Sequence, residues 1–169
     1  MIEIVKTLKV TPEEFYSYIQ QSISDQIYEQ FGRRVEPEDL VRGYTHKTAK
    51  TDKKTGEKKV TKYTIRKAVP NKSFHVLYSS TDYRTEMTYD LVDKDGQTEV
   101  TFVQNTEFFN KKEPGRLDQW VLKKRLTGSL AEVEKDIIKK RKQKAKEAEK
   151  AEETAETKPE EDQESASKK

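Results

Sequence analysis

The feature that most constrains this chain is an apolar stripe within residues 117–138. Large aliphatic residues recur there at spacings of four, four, three and four: Leu122, Leu126, Leu130, Val133 and Ile137. At about 100° per residue in an α-helix, these side chains fall within one stripe roughly 80° wide. A helix with a single apolar stripe must be covered by other elements. The preceding chain alternates like strands, so we expect a sheet to provide that cover.

Apolar residues are unevenly distributed along the 169-residue chain. Charged residues make up 38% of the chain and apolar residues 31%. Apart from Pro159, residues 139–169 contain no apolar residue larger than alanine. Such a segment cannot bury enough apolar surface to offset the entropy lost on ordering it. We therefore expect one folded domain over residues 1–138, followed by a charged helix extension and disordered tail over residues 139–169.

Several protein classes are excluded or disfavoured by composition. The chain has no cysteine, so it has neither a disulfide framework nor a thiolate metal site or nucleophile. Its N-terminus lacks the basic segment and apolar run of a signal peptide, and no run approaches the roughly 20 apolar residues of a membrane span. We expect a cytoplasmic protein with no membrane span. The net charge of only +3 does not favour nucleic acid as a partner.

The chain opens with a predicted strand and a strong helix start. The apolar residues of one parity in the strand are Ile2, Ile4, Leu8 and Val10. Thr11 is a good N-cap, and Pro12 suits the first helical position. Glu14, three residues after Thr11, completes a capping box. The helix is therefore predicted to begin at Pro12.

A strict four-residue repeat follows this start: Phe15, Ile19, Ile23, Ile27 and Phe31. Such a repeat drifts about 40° per step around a straight helix, so one long helix would wind its stripe almost halfway round itself. We therefore predict two short helices with a break near Ser22–Asp25, where serine and aspartate suit an N-cap. Gly32 is expected to end the second helix.

The apolar period then changes to two, which predicts antiparallel strands. Strands are predicted over 43–50 and 60–68 and around Phe74–Tyr78, Thr85–Leu91 and Val100–Val103, with turns at 52–57, 70–71 and 93–96. In the fourth of these strands the apolar positions alternate with charged and polar ones, as in a sheet with one solvated face. The long helix follows after a loop over residues 108–115.

This order of elements resembles the helix-grip fold of the START and Bet v 1 superfamily. The resemblance implies an α+β fold in which a curved antiparallel sheet wraps around a long C-terminal helix, with two short helices after the first strand. The opening residues 2–8, the Phe15-Tyr16 pair and the basic helix end Lys139-Lys140-Arg141 also resemble an uncharacterised family of short cytoplasmic proteins of Gram-positive bacteria, known only as a domain of unknown function. The resemblance covers residues 1–142 and supplies no catalytic residues.

A ligand cavity between the sheet and the long helix is the first candidate site. The side chains available to line it are Tyr63, Tyr78, Tyr83, Met87, Tyr89, Phe102, Trp120, Leu122 and Leu126. A buried tyrosine hydroxyl needs a partner, which a polar group of a ligand can supply. The alternative is that these residues simply fill the core. The cavity interpretation predicts a small, largely apolar ligand.

The first turns of the long helix carry apolar residues opposite the main stripe. Leu117, Trp120 and Val121 lie on that side, and we expect them to be buried against the two short helices. The alternative is an exposed edge around Trp120 that gates a ligand or binds a partner. Gly128 lies on the same side and is expected to mark a close helix contact, because a mid-helix glycine costs about 1 kcal/mol relative to alanine.

A basic run follows the apolar stripe and is the candidate anion-binding site. Its cations are Lys139, Lys140, Arg141, Lys142, Lys144 and Lys146. They could contact an anionic partner such as nucleic acid, an acidic protein or a membrane. The acidic segment Glu147–Glu164 can instead neutralise the run, which has no interleaved aromatic residues and no apolar face. The alternative is therefore a solvated helix extension.

Enzymatic chemistry has the least support. His46 and His75 are the only histidines, and they lack the spacing of a metal site. We expect His46 to be exposed and His75 to be a sheet-face residue or, alternatively, a base. The chain contains no G-x-S-x-G elbow, phosphate-binding glycine loop or H-E-x-x-H motif. We therefore predict a non-enzymatic protein with no cofactor and no metal.

Overall fold

The structure is a computed structural model that describes residues 1–51, 55–109 and 115–156. The side chains of residues 30, 50 and 152–156 lie outside this description, as does the tip of the predicted turn at 52–57. The described chain forms two compact units, Met1–Ile137 and Ile138–Lys169.

The elements are β1 (Ile2–Leu8), α1 (Pro12–Phe31), a 3-10 turn (Pro37–Asp39), β2 (Thr45–Thr51), β3 (Lys58–Val69), β4 (Ser73–Ser79), β5 (Tyr83–Lys94), β6 (Gln97–Phe108) and α2 (Arg116–Glu156). The strands form one antiparallel sheet in the order β1-β6-β5-β4-β3-β2. This arrangement confirms the predicted antiparallel sheet and the long C-terminal helix.

The apolar face of the sheet is built by directly paired residues. Ile4 pairs with Phe102, Phe102 with Tyr89, and Tyr89 with Phe74, which forms an apolar row across four strands. Helix α1 packs on this row: the Phe15 ring lies 6.2 Å from the Tyr89 ring, between centroids. Because side chains alternate along a strand, the other face carries the charged residues.

Both ends of α1 follow the predicted chemistry. The Thr11 N–H donates to Glu14 Oε2 at 2.9 Å, and the Glu14 N–H donates to Thr11 Oγ1 at 3.3 Å, which confirms the capping box. Gly32 ends the helix with φ of +67°, and its N–H donates to the Tyr28 carbonyl at 2.7 Å. Glycine adopts this left-handed conformation without the steric cost of a Cβ.

The predicted break near Ser22–Asp25 is wrong, because α1 is one continuous helix of 20 residues. Its winding stripe is covered by the sheet at both ends, where Phe15 packs near Tyr89 and Phe31 packs on His46, and by the loop after Gly32 between them. That loop is tied down where the buried Ser24 hydroxyl donates to the Val35 carbonyl and Gln20 Nε2 donates to the Pro37 carbonyl at 3.0 Å. Ser24 therefore fixes this loop rather than starting a second helix.

The apolar stripe of α2 becomes more buried from Leu122 towards Ile137, at the end of the first unit. Leu130 and Ile137 are buried, whereas Leu122 and Leu126 are half-buried. Polar contacts also hold this end in place: the Lys9 N–H donates to Glu134 Oε1 at 2.7 Å, and the Tyr18 hydroxyl donates to Asp136 Oδ2 at 3.2 Å. The first turns of α2 are consequently less covered than its middle.

Helix α2 continues to Glu156, and the residues after it lie outside the described part of the chain. The disordered tail therefore stays a prediction.

Candidate functional site

The candidate site is a cavity under the first turns of α2. It lies within the first unit and has a volume of about 320 Å³. Strands β1, β5 and β6 supply most of its wall, and α2 supplies the remainder. The lining residues are Met1, Ile2, Tyr83, Thr85, Gln104, Asn105, Thr106, Phe108, Gln119 and Leu122.

The register of the sheet explains why these side chains meet. Thr85 pairs with Thr106, and Tyr83 pairs with Phe108, so all four lie on the same face of β5 and β6. Gln104 lies on this face two residues before Thr106, and it pairs with Ile2 of β1. Phe108 and Tyr83 rings stand 6.1 Å apart at the end of the sheet.

The cavity wall is polar but uncharged. The hydroxyl oxygens of Thr85 and Thr106 are 3.0 Å apart, and Gln104 Nε2 donates to Thr106 Oγ1 at 3.4 Å. None of the described residues that line the cavity has a charged side chain. The wall can therefore hydrogen-bond a neutral polar group, while Phe108, Leu122 and Ile2 contact apolar surface.

Only part of the predicted set of lining residues meets at this cavity. Tyr83 and Leu122 line it, whereas Trp120 lines a shallower depression beside it with Arg116 and Lys123. The remaining predicted residues do not line the cavity: Tyr63, Tyr78, Met87, Tyr89, Phe102 and Leu126.

The four aromatic residues of this remaining set contact other aromatic rings. Tyr63 lies 6.0 Å from Tyr78, Tyr78 lies 5.7 Å from Tyr83, and Tyr89 lies 4.9 Å from Phe102, all between ring centroids. Burial raises the pKa of Tyr89 to about 12 and raises the pKa of Tyr63 further above its usual range, with smaller contributions there from neighbouring tyrosines. This cluster therefore belongs to the core beside the cavity.

The polar residues of the wall, Thr85, Gln104, Thr106 and Gln119, are not among the predicted lining residues. Thr85 shares its parity with Met87 and Tyr89, so its inward direction was predictable. Gln104 and Thr106 share their parity with Phe102, so their inward direction follows from the same alternation. Because glutamine and threonine usually face solvent, residue type did not indicate that these residues or Gln119 line a cavity.

The face of α2 opposite the stripe is exposed. Leu117 is 73% exposed, Trp120 60% and Val121 53%, so the expected burial against two short helices is wrong. The single helix α1 packs on the sheet and leaves this side of α2 uncovered. Lys124 Nζ lies 5.4 Å from the centre of the Trp120 ring, in a cation–π contact. A Cβ at Gly128 would meet nothing within 4 Å, so the expected close helix contact there is also wrong.

The two histidines lie apart from the cavity. His46 is half-buried rather than exposed, because its ring packs on Phe31 with 4.8 Å between centroids. Desolvation and, to a lesser extent, Arg33 lower the pKa of His46. His75 pairs with Thr88 on the outer sheet face, and desolvation lowers its pKa as well. Among the described residues, no cluster of three or more His, Asp or Glu could hold a metal ion.

The candidate anion-binding residues all lie in the second unit, on the continuing helix α2. Every one is exposed: Lys139, Lys140, Arg141, Lys142, Lys144 and Lys146. At 100° per residue, the first four point in four directions around the helix axis. The positive charges therefore surround the helix instead of forming a stripe along one side of it.

A comparison with models of protein families shows which family the chain belongs to. A family model described as a domain of unknown function, DUF3284, matches residues 2–125. The chain belongs to this family. The match includes the whole sheet, α1 and the first turns of α2, which together build the cavity. None of the curated protein sequences compared with the chain matches it.

Solved structures similar to this DUF3284 protein show the same fold. Ara h 8.0201 matches with a TM-score of 0.55 at 10% identity, over 82% of this chain and 97% of that one. The MLL2253 protein of Mesorhizobium loti matches with a TM-score of 0.52 at 14% identity, over 82% and 98%. The Aha1 protein of Colwellia psychrerythraea, solved as a dimer, matches with a TM-score of 0.50 at 19% identity, over 81% and 96%.

These similarities confirm the helix-grip fold of the START and Bet v 1 superfamily for the DUF3284 domain. At such low identities they concern the fold alone. Within the described residues, no helix is long and apolar enough to cross a membrane.

Proposed function

We propose that this DUF3284 protein binds a small, largely apolar molecule that carries at least one neutral polar group. The cavity under α2 is the observation that supports this proposal. Its volume of about 320 Å³ lies at the lower end of the range of ligand pockets, about 300–1,000 Å³. We further propose that binding takes place in the cytoplasm, as expected from the sequence.

The wall suggests how a ligand would be oriented. Phe108, Ile2 and Leu122 would contact its apolar part, and the Thr85 and Thr106 hydroxyls would exchange hydrogen bonds with its polar group. A neutral polar group fits this wall, because none of the lining side chains carries a charge that could pair with an ionised ligand. The proposed action is binding without chemical conversion.

The first experiment compares the native mass spectra of the full chain and of residues 1–142, both purified from cells of the organism that makes the protein. A co-purifying small mass on both forms supports ligand binding within the first unit. Binding of the neutral fluorescent probe N-phenyl-1-naphthylamine then tests the location. Leu122→Trp, which fills the cavity, should abolish probe binding.

Leu126→Trp is the matched control, because Leu126 is half-buried on the same stripe one turn later but does not line the cavity. The control should bind the probe as the unchanged protein does. If folded Leu122→Trp binds the probe equally well, the cavity is not the binding site.

A second candidate function is contact with an anionic partner, nucleic acid or an acidic protein, through Lys139–Lys146. The exposure of all six cations in the second unit favours it. Such binding should weaken steeply with salt and strengthen when residues 147–169 are deleted. If this truncated chain does not retain nucleic acid or acidic protein at low salt, the candidate fails.

A further inference from the structure

The exposed apolar face of α2 has a composition that points to its partner. Leu117, Trp120 and Val121 lie within the first two turns, and each is more than half exposed. On a helical projection they span about 100°, with Lys124 between them. Isolated exposed apolar residues are ordinary, but three adjacent ones with the only tryptophan of the chain form a patch that calls for a partner.

Cations surround this patch. Arg116 precedes it, Lys123 flanks one side of the helix, and Arg125 flanks the other, all of them exposed. Lys124 reaches over the Trp120 ring. The acid on these turns, Asp118, accepts a hydrogen bond from the Gly115 N–H at 3.1 Å and so serves the helix start. Glu3 of β1 lines the depression beside Trp120 together with Arg116 and Lys123. Four cations and two acids therefore border the patch, which leaves the border basic.

We propose that this face docks on an anionic lipid surface. Apolar side chains with a tryptophan enter the boundary between headgroups and acyl chains, while the bordering Lys and Arg residues contact the headgroup phosphates. Trp120 suits this position because its ring has an apolar body and a polar N–H. The helix lies along the membrane surface without crossing it.

A second copy of the chain fits this face less well. A two-fold interface would bring the basic borders of both copies, each with Arg116, Lys123, Lys124 and Arg125, into one contact area, and like charges brought together in an interface repel. An anionic lipid surface supplies the opposite charge in excess.

The docking face and the cavity share the same helical turns. Gln119 and Leu122 face the cavity from turns whose other side carries Trp120 and Val121. Docking would therefore bring the cavity wall next to the membrane. The docking proposal does not depend on the proposed ligand, since it is argued from the exposed residues of α2 alone.

The test uses the full chain and vesicles of phosphatidylcholine alone or of phosphatidylcholine mixed with phosphatidylglycerol. Trp120 is the only tryptophan, so emission excited at wavelengths that tyrosine does not absorb reports on this face alone. We expect flotation with the mixed vesicles, a blue shift of the Trp120 emission, and reversal of both by high salt.

Two pairs of variants separate the apolar and ionic contributions. Leu117→Ser and Val121→Ser should each weaken vesicle binding roughly tenfold, because each removes an aliphatic side chain that docking would bury in the lipid. Lys123→Gln and Arg125→Gln should each weaken it about fivefold on the mixed vesicles. Val41→Ser, at a valine that is 56% exposed in another part of the chain, is the matched control and should have no effect.

Three results would overturn the proposal. One is the absence of binding to the mixed vesicles. Another is binding without a blue shift, which would assign it to other cations such as the basic run. The third is a blue shift that needs no vesicles and grows with protein concentration together with a dimer in sedimentation, which would assign the face to a second copy.

Discussion

The hydroxyl of Thr98 provides a sharp test of how the helix start is attached to the sheet. Thr98 is fully buried on β6, and its hydroxyl donates to the Val10 carbonyl at 2.6 Å. Val10 directly precedes the Thr11 N-cap of α1 and is itself fully buried. This bond therefore joins the last strand to the beginning of the helix, 88 residues earlier in the chain.

Thr98→Val replaces the hydroxyl by a methyl group of similar size, so it changes the hydrogen bonding with little change in volume. The Val10 carbonyl would remain buried without this donor. Leaving one buried polar group unsatisfied costs about 1–3 kcal/mol. For a folded unit of this size, we expect a loss of unfolding free energy of about 2 kcal/mol and a melting temperature lower by roughly 5 °C.

Urea denaturation followed by circular dichroism measures the change, with the slope m compared between variants. Thr88→Val is the matched control, because Thr88 lies half-buried on the outer face of the same sheet. We expect the control to stay within about 0.5 kcal/mol of the unchanged protein. If Thr98→Val is as stable as the control, the bond between Thr98 and Val10 does not contribute to stability and the reasoning is refuted.

Three further outcomes follow from the structure. Thr11→Ala should lower the unfolding free energy by about 1 kcal/mol in urea denaturation, because the capping box loses its acceptor; an unchanged midpoint would contradict this. Gly32→Ala should also destabilise by about 1 kcal/mol, since φ of +67° strains any other L-residue, whereas Gly115→Ala, at a glycine without positive φ, should not. The pKa of Tyr89 is raised from 10.0 to about 12, so the unfolded state loses this proton first and stability should fall as the pH rises from 10 to 12. Tyr89→Phe should make the loss of unfolding free energy between pH 10 and 12 smaller. Phenolate absorbance should show that Tyr89 loses its proton at a higher pH than an exposed tyrosine does.

The fold could be predicted further than the site because its signals are local. The capping box at Thr11, the stop at Gly32 and the two-residue alternation around Met87 depend on neighbouring residues, and each is present in the structure. The continuous α1 could not be predicted from Ser22–Asp25 alone. Its stripe is stabilised by a loop that reaches back across the helix through Ser24, and no short-range pattern encodes that contact.

The cavity lies where the side chains between the sheet and α2 are too small to fill the volume between them. Large aromatic residues were the natural candidates, but Tyr63 and Phe102 are buried in the core, and the half-buried Tyr89 ring packs on Phe102. Smaller residues such as Thr85 and Thr106 leave room where the cover from α2 is thin. Residue type alone does not show whether a volume is filled, since this depends on the register of two strands and the distance to a helix.

The pairing of β1 with β6 has a consequence during protein synthesis. Ile2 pairs with Gln104 and Leu8 with Thr98, so β1 leaves the ribosome before its partner strand and stays unpaired until residues 98–104 have emerged. Over that time Ile2, Ile4 and Leu8 are exposed in the nascent chain. Contacts of such long sequence separation slow folding and leave apolar segments open to association. The beginning of this domain therefore stays without its native partner strand until the last strand has been made.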